Sequence, residues 1–183
     1  MIAPRFAADF AAKQGITVNF VTTVLMVDNY LPYFDMDAEK RLDKHVEAQI
    51  DATLRVIDAR KVGIPAPTDE QRRWYARVRG FNRENPAFNS VSQITITERC
   101  VGCGVCTRVC PQGNCSLAEG RARRKSETCE FCLACIQNCP VNAIALSMED
   151  KNPQARYRNP HVSVKQLEAA NCQHCLETPA AAH

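Results

Sequence analysis

The spacing of apolar residues predicts an α/β layer in the first third of the chain, where helix, strand and helix follow one another. "PRFAADFAAKQG" predicts a short helix with Phe6 and Phe10 on one face and a stop at Gly15. "ITVNFVTTVLMV" is rich in Val, Ile and Thr, which predicts a buried strand. "AEKRLDKHVEAQIDATLRVIDAR" predicts one amphipathic helix, because its apolar residues recur at steps of four and three. The apolar face of that helix consists of Leu42, Val46, Ile50, Leu54 and Ile57.

Two further helices are predicted from residues that cap helix ends. "GIPAPTDEQ" indicates a linker, and Thr68 with Gln71 has the pattern of a capping box before the helix "DEQRRWYARVR", which we expect to end at Gly80. Ser163 and Gln166 have the same pattern before the helix "SVKQLEAANCQHCLE". The Arg-rich helix "DEQRRWYARVR" is either a solvated basic surface, which is the default, or a docking surface for an acidic redox partner.

Composition excludes several classes of protein. A chain of 183 residues with 45% hydrophobic content buries at least one core. The net charge of +3 is too small to indicate nucleic-acid binding by itself. No apolar stretch reaches the ~20 residues that a membrane span needs, and the N-terminus lacks the pattern of a secretory signal. We therefore expect a cytoplasmic protein without a membrane span.

The cysteines are numerous and concentrated. Nine of the eleven lie between Cys100 and Cys139. An odd total without a secretory signal fits a disulfide framework poorly, so the cysteines indicate metal binding.

Eight of these cysteines form two copies of the pattern C-x2-C-x2-C-x3-C, one starting at Cys100 and the other at Cys129, and each is followed by proline. A cubane iron–sulfur cluster needs four thiolates, and in bacterial two-cluster motifs the fourth cysteine of each motif ligates the other cluster. The expected ligands are Cys100, Cys103, Cys106 and Cys139 for the first cluster, and Cys129, Cys132, Cys135 and Cys110 for the second. Zinc is the weaker alternative, because a zinc ribbon needs only two C-x2-C pairs.

With both motifs, the segment from Cys100 to Pro140 resembles a bacterial ferredoxin with two [4Fe–4S] clusters. The resemblance implies a small pseudo-twofold α+β domain with short strands beside two helices. Alternation in "SQITITERC" and the apolar run "AIALS" fit strands that enter the first motif and leave the second.

The flanks "VLMVDNYLPYFD" and "RYRNPHVSV" resemble a family of ferredoxin-type proteins, mostly from anaerobes, in which a flavodoxin-like domain is fused to a ferredoxin domain. The first half of the flavodoxin-like domain, with the Ser/Thr/Gly-rich loop that grips the FMN phosphate, has no counterpart before Cys100. We therefore expect a partial flavodoxin-like segment, and we do not expect this chain alone to bind FMN. The predicted segments are 1–61 (partial flavodoxin-like α/β), 62–91 (linker with a short basic helix), 92–150 (two-cluster ferredoxin domain) and 151–183 (tail with a helix).

The motifs favour a low-potential electron carrier, not itself an enzyme, that exchanges electrons with redox partner proteins. The alternative is an electron-input module of a flavin-dependent oxidoreductase whose FMN-binding half is not part of this chain. A third hypothesis, a nucleic-acid-binding or regulatory protein, would rest on the two Arg-rich stretches, and nucleic acid is not an expected partner.

Three features lie outside the ligand sets. "CPQGNCSL" aligns with "CPVNAIAL", which places Cys115 at the position of Ile144 and predicts a packing residue rather than a ligand. Cys172 and Cys175, with His174, are tail residues without an assigned role, or else an extra metal half-site or redox dithiol. The basic run between the motifs is expected on a solvated loop, with an electrostatic landing site as the alternative. It comprises Arg121, Arg123, Arg124 and Lys125.

Overall fold

The computed structural model describes residues 3–171. Its helices are α1 (Ala3–Lys13), α2 (Met36–Glu39), α3 (Val46–Asp58), α4 (Asp69–Glu84), α5 (Val105–Val109), α6 (Ala134–Gln137) and α7 (Val164–Ala170). Its strands are β1 (Ile94–Ile96), β2 (Cys115–Ala118), β3 (Arg121–Arg124) and β4 (Ile144–Leu146). None of the described helices combines the length and the apolarity that crossing a membrane requires.

The chain divides into two compact units. One comprises Met1–Val27 and Leu42–Asn85, and the other comprises Asp28–Arg41 and Pro86–His183. These units do not follow the four predicted segments, because residues 28–41 belong with the cysteine repeats.

In the first unit, the predicted N-terminal helix is confirmed as α1, and Gly15 follows its end with a φ of +75°. The strand predicted for "ITVNFVTTVLMV" is wrong. Within the described residues that segment makes a single parallel bridge, in which Gly63 donates to the Asn19 carbonyl at 2.9 Å and accepts from Val21 at 3.2 Å. A strand requires a neighbour along its length, and propensity alone does not supply one.

The long amphipathic helix is also wrong in its first half. α2 ends at Glu39, α3 begins at Val46, and Leu42 lies between them. His45 takes a left-handed conformation with a φ of 49°, and its backbone N–H donates to the Asp43 carboxylate at 2.7 Å. Such local side-chain bonds compete with helical ones, which explains a break that apolar spacing could not reveal.

The capping box at Thr68 is confirmed, with the side chains of Thr68 and Gln71 each accepting the other's backbone N–H at 3.2 and 3.1 Å. The predicted stop at Gly80 is wrong, because α4 continues to Glu84. An interior glycine costs only about 1 kcal/mol, which a helix with well-bonded flanking turns absorbs.

The second unit mixes short helices with two small antiparallel sheets, which is compatible with an α+β class. β1 pairs with β4, and this confirms the two strands predicted beside the motifs. β2 pairs with β3, so the three arginines of the basic run lie in a strand and the loop prediction is wrong for them; Lys125 follows the strand. Glu119 and Gly120 join β2 to β3 with φ values of 52° and 73°, as in the two-residue turns that suit hairpin twist.

Residues 28–41 contribute to the core of this unit. Leu31 and Met36 are fully buried together with Ile136 of α6. The Gln137 amide donates to the Asn29 carbonyl at 3.0 Å and accepts the Tyr157 N–H at 2.7 Å. Two stretches far apart in sequence thus support the helix that follows the second cysteine loop.

Candidate functional site

The first cavity gathers one complete predicted ligand set. Its walls include Gly102, Ala122 and Ile144. Its cysteines are Cys100, Cys103, Cys106 and Cys139. The first three come from one motif and the fourth from the other.

A second cavity gathers the complementary set. Its predicted ligands are Cys129, Cys132, Cys135 and Cys110, and Cys115 also lines it. Because cysteines are soft ligands that suit iron–sulfur clusters, the donor sets fit such a group.

The backbones of the two cysteine loops take the same unusual conformations at equivalent positions of the repeat. Left-handed residues stand at Gly102, Gly104 and Gly113 in the first copy, with φ values of 65°, 73° and 57°. At the equivalent positions of the second copy, Phe131, Leu133 and Asn142 have φ values of 48°, 60° and 48°. Non-glycine residues adopt this conformation at a cost, so the second loop is held by its surroundings.

Backbone amides point at four of the sulfur atoms. In the first set, Ala122 N–H donates to Cys100 Sγ at 3.3 Å and Ala143 N–H donates to Cys139 Sγ at 3.2 Å. In the second set, Asn114 and Phe131 donate to the sulfurs of Cys110 and Cys129 at 3.3 and 3.4 Å. Hydrogen bonds to ligand sulfurs stabilise their negative charge and tune the reduction potential of a bound cluster.

Asn114 is a site residue that the sequence analysis missed. Its side chain is buried, and its carbonyl oxygen accepts the backbone N–H groups of Lys125 and Ser126 at 3.2 and 2.8 Å. Its amide group donates to the Thr128 carbonyl at 2.6 Å, just before the second motif. The sequence contains one indication of this role: Asn114 is polar, whereas the equivalent residue of the second copy is Ala143.

Cys115 is buried in β2, as the packing prediction requires. A hydrogen bond with Cys115 lowers the pKa of Cys106 to about 7, against the effect of burial. The same bond, with burial, raises the pKa of Cys115 far above its ordinary value. Cys115 is therefore a thiol that donates toward Cys106, and its exclusion from the ligand set stays a prediction.

Burial changes the pKa of one predicted ligand, and ion pairs neutralise part of the basic run. Burial raises the pKa of Cys135 to about 12, while the nearby Arg124 guanidinium acts in the opposite direction. Arg121 and Arg123 of the basic run pair with Glu98 and Glu119 at 3.1 and 3.5 Å. These pairs reduce the positive field that the alternative, an electrostatic landing site, would need.

The tail before residue 172 supports the first motif. The capping box at Ser163 is confirmed at the start of α7. Glu168 pairs with Arg108 of α5 at 2.8 Å, and the Asn171 amide donates to the Arg108 and Cys110 carbonyls at 2.6 and 3.1 Å. Cys172, His174 and Cys175 lie outside the described residues.

Among residues 3–171, no three His, Cys, Asp or Glu side chains are grouped to hold a single metal ion. A cubane has a different requirement, since its four thiolates each bind a separate iron. Cys103 and Cys132 are the solvent-exposed members of the two sets.

Part of the cysteine-rich segment is similar to known proteins. Residues 99–143 match the family described as a 4Fe-4S dicluster domain. The chain is 40% identical over 55 residues to pyruvate synthase subunit PorD of Methanocaldococcus jannaschii. The match covers 30% of this chain and 64% of that relative, which is slightly less than two thirds of its length. It is 33% identical over 63 residues to an uncharacterized ferredoxin of the same organism, covering 32% of this chain and 82% of the relative.

Proposed function

This chain belongs to the [4Fe–4S] ferredoxins and is an iron–sulfur electron-transfer protein, and from that premise we propose that it carries two clusters and exchanges single electrons with redox partner proteins. The observation that carries the proposal is the pair of cavities, each lined by three cysteines of one motif and the fourth of the other. This is the arrangement that crossed ligation requires.

The proposed ligands are the eight motif cysteines. Cys100, Cys103, Cys106 and Cys139 would hold the first cluster, and Cys129, Cys132, Cys135 and Cys110 the second. A bound cluster supplies a one-electron couple at low potential. The chain holds the thiolates apart, donates amide hydrogen bonds to them, and excludes water with buried side chains such as Ile144 and Leu133.

We also propose that the cluster-binding part is pseudo-twofold. α5 and α6 begin at equivalent positions of the two copies, each after a left-handed residue, Gly104 or Leu133. Asn114 and Ala143, which are also equivalent, donate to the fourth sulfur of their respective motifs. The exposed Cys103 and Cys132 then give each cluster its own edge for electron exchange.

Anaerobic reconstitution, with iron and sulfide counted per chain, tests this proposal. About eight irons and eight sulfides are expected from two cubanes. About four of each would overturn the second cluster, and zinc without sulfide would overturn the function. The cytoplasmic location expected from the sequence stays a prediction.

A second candidate is an electron-input module of a larger oxidoreductase. Phe20 and Gly63 form a parallel bridge, and α3 lies between them in sequence, as in the crossovers of parallel α/β sheets. That supports a partial flavodoxin-like segment. The similarity to a protein named as a pyruvate synthase subunit favours the same role. Release of FMN from anaerobically purified protein, or co-purification with an oxidoreductase, would favour this candidate over a free carrier.

A further inference from the structure

The two cavities have different walls although the repeat relates them. Where the first cavity has Val141 and Ala143, the second has Gln112 and Asn114 at the equivalent positions of the other copy. Apolar walls in one copy are therefore replaced by polar walls in the other. Since polarity and hydrogen bonding around a cluster shift its reduction potential, the two sites are not electrically equivalent.

The largest difference is one positive charge. Arg124 lines the second cavity and lies opposite Cys115 in the β2–β3 ladder. In the other sheet, the residue opposite Ile144 is Ile96. Because Cys115 and Ile144 are equivalent, Arg124 and Ile96 occupy equivalent places, and Arg124 is the one cation among the described residues that line the two cavities. Arg108 also lies near the first site and favours the Cys106 thiolate, but it does not line that cavity and its guanidinium pairs with Glu168 at 2.8 Å.

The position of the Arg124 cation is fixed. The Arg124 guanidinium donates through Nη2 to the Ile94 carbonyl at 3.2 Å, which ties β3 to β1. Arg124 is partly buried, so solvent screens its charge less than that of an exposed side chain.

One acidic side chain opposes Arg124 at the same cavity. Glu130 also lines the second cavity, and its carboxylate accepts from Gln112 Nε2 at 3.1 Å. Glu130 is solvent-exposed, so water screens its charge strongly. The net electrostatic influence of this wall is therefore positive.

We infer that Arg124 makes the second site easier to reduce than it would otherwise be, and that it thereby separates the two sites in reduction potential. The inference rests on the two-cluster proposal above. Reduction transfers one electron from an external one-electron reductant and adds one negative charge to a site that already carries four thiolates. A cation held beside that site lowers the energy of the added charge.

The test is a redox titration of the reconstituted protein against a low-potential one-electron reductant, followed by electron paramagnetic resonance. Cysteine proton shifts in the reduced protein assign each potential to its site. At a fixed solution potential, Arg124→Gln should lower the reduced-to-oxidised ratio of the second site about tenfold, which is 59 mV for a one-electron couple. Arg124→Lys keeps the charge and should hold that ratio within about twofold of the wild type.

Arg123→Gln is the matched control, because it removes the same charge from the same strand. Arg123 is exposed, pairs with Glu119, and lines neither cavity. In Arg123→Gln, the reduced-to-oxidised ratios of both sites should stay within about twofold of the wild-type ratios.

Three outcomes would overturn the inference. They are equal potentials in Arg124→Gln and the wild type, an Arg124→Lys protein shifted as far as Arg124→Gln, or an Arg124→Gln protein that takes up only half the iron. The last would show that Arg124 acts through the β3–β1 contact. Iron counts on the same samples separate this from the proposed function, since about four irons in the wild type would defeat the two-cluster proposal itself.

Discussion

Gly102 lies where the first cysteine loop approaches the β2–β3 turn, and replacing it by alanine would disturb that approach. A Cβ at Gly102 would stand 2.9 Å from the carbonyl carbon of Gly120 and closer still to its oxygen. Both neighbours are backbone atoms, so no side chain can swing away. The loop, which sets the positions of Cys100 and Cys103, must move instead.

Two contributions set the free-energy cost of Gly102→Ala. Gly102 has a φ of 65°, and an alanine in that conformation costs about 1–2 kcal/mol. The steric overlap adds about 1–3 kcal/mol, as for an overpacked interior. Gly120→Ala is the matched control, because its φ of 73° gives the same conformational cost while no atom of the described residues lies within 4 Å of the new Cβ.

The assays are anaerobic thermal unfolding and iron retention against a chelator. For a chain of this length, a difference of about 1–3 kcal/mol corresponds to a melting temperature about 2–12 °C lower in Gly102→Ala than in Gly120→Ala. Gly102→Ala should also lose iron from the first site first. Equal melting temperatures and equal iron retention in the two variants would refute the argument from the backbone contact.

Three further predictions follow from the site. Cys110→Ala should lower the iron count from about eight to about four, whereas Cys115→Val should keep about eight, as measured by iron analysis after reconstitution. Asn114→Ala removes four side-chain hydrogen bonds to the link between the motifs, so it should destabilise the protein by about 2–4 kcal/mol, seen as a lower melting temperature. In the cluster-free protein, alkylation of Cys106 should increase with pH through a midpoint near 7, because only the thiolate reacts. Cys115→Ala removes the hydrogen bond that favours the Cys106 thiolate, so this midpoint should move to higher pH; an unchanged midpoint, read by mass spectrometry, would contradict that cause.

Local patterns predicted local structure well. The capping boxes at Thr68 and Ser163 are confirmed, because each depends on residues close together in sequence. The strands around Ile94 and Ile144 are confirmed because each is the other's pairing partner. The same methods were wrong for the strand after Gly15, since strand formation depends on a partner elsewhere in the chain.

The basic run shows how tertiary structure changes the meaning of a sequence pattern. On a loop, as predicted, all four of its cations would be exposed to solvent alike. In the folded chain, strand alternation separates them: Arg123 points to solvent while Arg124 lines a cavity. The Glu119–Gly120 turn was an available indication of the hairpin, but an unequal charge between two sites could not be seen before the strands were paired.

The sequence by itself determined which cysteines can act together, because the thiolate spacing within a short loop is set by the covalent chain and recurs unchanged in the second motif. It also placed Cys115 at a packing position through comparison of the two copies. Only the tertiary structure decided that residues 28–41 complete the core around Ile136, that Asn114 holds the link between the motifs, and that an arginine lines the second cavity but not the first. Those features depend on contacts between distant segments, whose geometry is decided by packing and strand pairing rather than by local spacing.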